Sequence, residues 1–290
     1  NPPPPRPLAR PNPTDLAAMT QYPPTLKPIT ITTLAKMKRD REKFTVLTAY
    51  DASFAALLEA AGVEVILVGD SLGMVVQGQR TTVPVTLEDM IYHTRLVARG
   101  CRTALLMADM PFASYATVDQ AVRNAARLMG EGGAHMVKLE GGGWLAETVR
   151  QLSRNGIPVC AHLGLLPQSV HKLGGYKVQG REEAAARQII DEALALQEAG
   201  ADVALVECIP AELAARLAEA LAIPLIGIGA GPGCDAQVLV SYDMLGITPG
   251  RRPKFSKNFL TGHDSLQAAV EAYVRAVKNG EFPGPEHCIA

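Results

Sequence analysis

The chain has 290 residues, 48% of them hydrophobic and 5% aromatic, with 28 Lys and Arg against 29 Asp and Glu. That length holds one large domain or two ordinary ones, and the even charge lacks the basic surplus of a nucleic-acid protein. Gly, Pro or a charged residue interrupts every apolar run before the roughly 18 residues that a membrane span needs. Cys101, Cys160, Cys208, Cys234 and Cys288 are odd in number and form no CxxC pair, which predicts free thiols in a reducing compartment, the cytoplasm. The six histidines show no HxxxH or HExxH spacing, so no zinc site on one helix is expected.

Residues 1–28 hold ten of the 21 prolines and no apolar periodicity. They are expected to form an extended or disordered leader, with Met19 as an alternative start. Residues 29–290 read as a single domain, opened by a helix and followed by a repeated grammar of short aliphatic run and longer helical pattern. The runs are Phe44–Tyr50, Glu64–Gly69, Thr103–Ala108, His135–Leu139, Pro158–His162, Asp202–Val206, Pro224–Ile228 and Gln237–Tyr242. Each is nearly continuous apolar, as strands buried on both faces of a parallel sheet are. Thr86 and Thr117 stand as helix caps, Gly62, Gly100 and Gly200 as helix ends, and Arg181–Ala199 as the longest amphipathic helix. Eight such units in about 250 residues predict a TIM (β/α)8 barrel, with an open doubly wound sheet as the alternative. The seventh helical connection is shortened or missing, since few residues separate Gly231 from the next run.

A barrel places its chemistry at the carboxyl ends of its strands. Those ends carry Asp51, Asp70, Asp109, Glu140, His162 and Glu207. Asp51 directly precedes a helical pattern and is assigned as its cap. Strands lie about 4.8 Å apart, so Asp70, Asp109 and Glu140 can share one hard cation such as Mg2+, directly or through water. Lys138, two residues before Glu140, shares its face of the strand; it either binds a substrate carboxylate or neutralises a buried acid. Glu207 ends an apolar strand, where burial raises its pKa towards that of a general base; a salt bridge is the alternative. The run Gly227–Gly233 is set aside as a dinucleotide loop because Pro232 follows and no long helix does. Gly141–Gly143 lacks the lysine of a phosphate-binding loop.

The segments TAYDASFA, LVGDSLGMVVQG, TTVPVT, MIYHT, LLMADMPFASYAT, MVKLEGG, HLGLLPQSV, GGYKVQGR, VECIP, IGIGAG and PKFSKNF run in this order from about Leu26 to the C-terminus. In these the chain resembles the ketopantoate hydroxymethyltransferase family. The resemblance implies a barrel of the phosphoenolpyruvate mutase and isocitrate lyase superfamily, assembled as a homo-oligomer, usually a decamer. It implies transfer of a hydroxymethyl group from 5,10-methylenetetrahydrofolate to 3-methyl-2-oxobutanoate, giving 2-dehydropantoate for pantothenate and coenzyme A. It places Mg2+ at Asp70, Asp109 and Glu140, the oxo acid at Asp70, Ser71, Asp109 and Lys138, and the proton acceptor at Glu207. His162 either orients a water or substrate oxygen or is a satisfied histidine of the barrel mouth. Two other readings stand beside this one. One is a C–C lyase or phosphonomutase on the same barrel, whose loop Cys or Lys has no counterpart in this sequence. The other is a barrel that only binds a metabolite.

Overall fold

Alternate residues of a strand face opposite ways, and in this chain both faces are apolar. The computed structural model describes residues 27–248, 250 and 252–289, so the expectation for the proline-rich leader lies almost wholly outside the described residues. The strands are β1 (Phe44–Thr48), β2 (Val65–Val68), β3 (Leu105–Asp109), β4 (Met136–Glu140), β5 (Val159–Gly164), β6 (Val203–Glu207), β7 (Leu225–Ile228) and β8 (Ala236–Leu239). All pair in parallel and in chain order, and β8 pairs with β1 to close the barrel. The closed sheet rules out the open doubly wound alternative.

One set of strand residues fills the barrel, among them Phe44, Val46, Val65, Leu105, Met107, Met136, Cys160, Val203, Leu205 and Ile226. Helix α1 (Ile31–Arg39) adds Leu34 and Met37 to that cluster. It thereby stops the amino-terminal end of the barrel and leaves only the carboxyl end open. The other set packs outward against α2 (Ala52–Ala60), α3 (Leu87–Gly100), α4 (Val118–Gly130), α5 (Ala146–Arg154), α6 (Glu183–Ala199), α7 (Ala211–Ala220) and α8 (Leu266–Lys278). Tyr273 of α8 sends its hydroxyl to the Gln237 carbonyl at 2.8 Å, across the β8–β1 seam. Among the described residues no helix is long and apolar enough to cross a membrane.

Local chemistry explains most element boundaries. Asp51 accepts the Ser53 and Phe54 amides at 2.9 Å each and caps α2, as expected. Thr86 and Asp89 bond reciprocally in a capping box at the start of α3. Gly200 ends α6 in the left-handed region at φ 107°. Gly100 ends α3 as expected, as its last helical residue, and a Cβ there would lie 2.2 Å from the Ala52 carbonyl oxygen. It is glycine because α2 and α3 meet at that point. The seventh connection has no helix; the seven residues 229–235 run directly from β7 to β8. A Cβ on Gly227 of β7 would sit 2.6 Å from the Cys234 sulfur, so close packing of that side chain accounts for the first glycine of the Gly227–Gly233 run. The run expected to reach Tyr242 stops at Leu239, because Ser241–Met244 turns into a short helix.

Candidate active site

Strands β3, β4 and β6 extend to include their acids, so Asp109, Glu140 and Glu207 are last strand residues rather than loop residues. The period of two then decides their direction. Met107 and Asp109 share the inner face, as do Met136, Lys138 and Glu140, Cys160 and His162, and Leu205 and Glu207. The interior is apolar at its base and charged at its top. Register ties these groups together, with Asp109 opposite Lys138 and Glu140 opposite His162.

The Lys138 ammonium lies 2.9 Å from Asp109 Oδ1, 3.9 Å from Glu140 Oε1 and 3.2 Å from His162 Nδ1. Burial works against this ammonium, but Asp109, Glu140 and Asp70 together hold its pKa above the ordinary lysine value. Asp70 lies two residues past β2, and its backbone N–H donates to Asp109 Oδ2 at 3.0 Å. Burial, then the Asp109 charge, pushes the Asp70 carboxyl up to about 7. Glu140 is raised well above the usual range, chiefly by burial. Ser71 follows Asp70 and its hydroxyl lies 3.0 Å from the Tyr50 hydroxyl.

His162 links the cation to the last acid. An ammonium only donates, so Nδ1 accepts from Lys138 and the ring proton rests on Nε2. Nε2 faces Glu207 Oε2 at 3.3 Å without a well-aligned hydrogen bond. Burial and the Lys138 charge drive the His162 pKa far down, so the ring is neutral. Burial raises the Glu207 carboxyl to about 8, against the pull of Lys138. The Glu207 side chain is 14% exposed, against 3–5% for Lys138, Asp109, Glu140 and His162, so it meets an incoming molecule first. Tyr176 stands at the mouth, its hydroxyl 3.6 Å from the Met74 sulfur and its pKa raised by burial and by Glu207, Asp70 and Glu140.

The expected site residues are thus gathered at one end of the barrel, except Asp51, which serves its helix. Two participants carry no role in the sequence reading. Gln168, in the turn after β5, bonds Asp70 and Glu140, and Tyr115 bonds Gln168. Their only signal is a polar residue inside a run quoted for resemblance. A 640 Å3 groove along α6, lined by Glu183, Arg187 and Asp191, contains none of the strand-end acids. A smaller 180 Å3 recess lies on the rim beside Gly141, Gly164 and Gln179.

The donors suit a hard divalent ion. Asp109 Oδ1 is buried, and among the described residues its partner is the Lys138 ammonium at 2.9 Å, with which an ion there would share this oxygen. Among the described residues no three His, Cys, Asp or Glu side chains form a ready-made metal cage. Two close carboxylates nevertheless match an ion that keeps several of its waters, as Mg2+ does. Both oxygens of Glu140 face other partners: Oε2 accepts the Gln168 N–H, and Oε1 faces Lys138 and His162. Its share in such a site would run through water.

A parallel (β/α)8 barrel with buried acids, one lysine and a raised glutamate at its open end has the groups that proton abstraction beside an anionic ligand requires, as enzymes on this fold carry them at the same end. Comparison with known proteins makes the class specific. The family model described as ketopantoate hydroxymethyltransferase matches residues 28–285. The 3-methyl-2-oxobutanoate hydroxymethyltransferase of Nitrosococcus oceani is 64% identical over 255 residues, covering 88% of this chain and 97% of that protein. The protein of the same name from Alkalilimnicola ehrlichii is 62% identical over 265 residues, covering 91% and 96%. The chain belongs to the ketopantoate hydroxymethyltransferase family and is an enzyme of that kind. Among solved structures, 2,3-dimethylmalate lyase, a PEP mutase/isocitrate lyase superfamily member, superposes with TM-score 0.54 at 20% identity, covering 74% of this chain and 82% of that one. Phosphonopyruvate hydrolase in complex with oxalate and Mg++ superposes with TM-score 0.58 at 13% identity, covering 86% and 98%. At such identities these two show a common fold. Family membership removes the lyase, phosphonomutase and metabolite-binding alternatives.

Proposed function

We propose that this enzyme transfers a hydroxymethyl group from 5,10-methylenetetrahydrofolate to 3-methyl-2-oxobutanoate, giving 2-dehydropantoate, with Mg2+ held by Asp70 and Asp109 and, through water, by Glu140. The acceptor is the one in the relatives' names. The observation that carries the reading is the order of groups across the barrel top: Asp70 and Asp109, then Lys138, then His162, then Glu207. That order sets an electrophilic end about one small molecule away from a base.

Lys138 binds the oxo-acid carboxylate, and the Ser71 hydroxyl and Asp70 orient it. The bound ion supplies Lewis-acid polarisation of the 2-oxo group. Glu207, ionised, removes the C3 proton, and the electron pair moves into the enolate of the substrate. The His162 Nε2–H, facing Glu207 at 3.3 Å, favours the ionised carboxylate electrostatically. Water releases the methylene carbon of the folate at the oxidation level of formaldehyde. The enolate carbon forms its C–C bond to that carbon, and the resulting alkoxide takes back the proton held on Glu207. Atoms and protons balance: oxo acid, methylene folate and water give hydroxymethyl product and tetrahydrofolate.

A cytoplasmic location is supported by five free cysteines. Homo-oligomeric assembly, a decamer, rests on the motif resemblance alone. The test of the reaction is product formation from the two substrates with and without chelator. We expect activity that chelator abolishes and Mg2+ restores; full activity in chelator removes the ion from the account.

A further inference from the structure

Gln168 is buried and lies in a short turn, Pro167–Ser169, that folds over the strand ends. Its hydrogen bonds form a directed chain. The Glu140 N–H donates to the Tyr115 oxygen at 3.3 Å, and the Tyr115 hydroxyl donates to Gln168 Oε1 at 2.6 Å. Gln168 Nε2 then donates to Asp70 Oδ2 and to the Met110 carbonyl, each at 2.9 Å. Its own backbone N–H returns to Glu140 Oε2 at 2.9 Å. One side chain therefore connects the carboxyl ends of β2, β3 and β4 to the turn after β5.

The direction of this chain matters. An amide can present either its nitrogen or its oxygen to a neighbour. The single phenol proton of Tyr115 goes to the closer acceptor, Gln168 Oε1 at 2.6 Å, rather than to the Glu140 carbonyl at 3.1 Å. The amide NH2 then faces Asp70. The amide thereby fixes a donor on one oxygen of Asp70, while the backbone N–H of the same residue supplies the donor on Glu140, so two buried acids of like charge are held by one residue. Asp70 is pinned by its Oδ2, and Glu140 is held on both sides, by Gln168 at Oε2 and by Lys138 and His162 facing Oε1.

We infer that Gln168 is a positioning residue that sets Asp70 and Glu140 for the 2-oxo acid and its divalent cation, and that Tyr115 fixes the direction of its amide. This rests on the reading that Asp70 and Glu140 face those ligands. Gln168 touches no reacting atom and acts through the two carboxylates.

Gln168→Met nearly keeps the side-chain volume and removes the donor. Binding of 3-methyl-2-oxobutanoate and of MgCl2 to the full chain is measured by calorimetry, beside kcat, KM and the melting temperature. The Kd and KM values rise roughly 10- to 100-fold, the worth of a hydrogen bond to a charged group, while kcat at saturation changes less than about threefold. Tyr115→Phe raises the same constants about threefold or more. In the double variant it adds less than about a further twofold, because both act through one chain of bonds. Unchanged binding constants in Gln168→Met, with or without a lower melting temperature, overturn the inference, as do two substitutions whose effects multiply in full. Should Gln168→Met fail to fold, Tyr115→Phe decides by the same measure. A wild-type protein that binds the oxo acid equally well without Mg2+ removes the cation from the proposed function, and the oxo-acid constant alone then judges Gln168.

Discussion

His162 Nε2 stands 3.3 Å from Glu207 Oε2, while the other nitrogen of the same ring accepts from Lys138 at 3.2 Å. A neutral imidazole thus separates a fixed positive charge from the base. Direct contact with the ammonium would hold Glu207 ionised and weak. Through the ring, burial prevails and the carboxyl rises to about 8.

The sign of the pH dependence follows. A glutamate whose pKa is raised is protonated below that value and becomes a base above it. Exchange of the substrate C3 hydrogen therefore accelerates as pH climbs through the Glu207 range, which lies at about 8 before the charge of a bound cation is added. A bound cation favours the ionised form, so added Mg2+ moves the midpoint to lower pH. Exchange rates followed by NMR across roughly pH 6 to 9 check this; a flat profile contradicts it.

Lys138 neutralises the acids around it, so its removal leaves buried carboxylates uncompensated. We expect Lys138→Met to lose about 3–5 kcal/mol of stability, the cost of breaking a buried pair from one side. Oxo-acid binding is lost with it. Mg2+ restores part of the stability by supplying another positive charge. Chemical unfolding with and without the ion measures both effects, and a variant as stable as wild type refutes the first.

Gly100 sets two effects of opposite sign against each other. Alanine is the better helix former by about 1 kcal/mol. At this position, however, its Cβ would stand 2.2 Å from a backbone oxygen of α2. Backbone cannot yield as a flexible side chain does, so overpacking wins and Gly100→Ala destabilises by about 1–3 kcal/mol. A urea midpoint at or above that of wild type contradicts this.

The acids of the site were legible because each follows a nearly continuous apolar run, and a strand buried on both faces has few other reasons to end in a charge. Lys138 was legible from the same period of two. Gln168 and Tyr115 were not, since a polar side chain after Leu165-Leu166-Pro167 or after Phe112-Ala113-Ser114 reads as part of an exposed turn. Their burial arises only when those turns fold back over the barrel mouth. Gly100 marked its helix end correctly, but the contact that requires glycine there was not legible, because it comes from Ala52, remote in sequence. The barrel itself followed from repetition, and the missing seventh helix from the brevity of residues 229–235.

The central claim is that Glu207 takes the C3 proton. With no folate present, wild type and Glu207→Gln are incubated with 3-methyl-2-oxobutanoate and Mg2+ in deuterated water. Loss of the C3 proton signal is then followed alongside calorimetric binding of the oxo acid. The account predicts retained binding in Glu207→Gln and exchange slowed by about 10²- to 10⁴-fold. Exchange at the wild-type rate in that variant would contradict it.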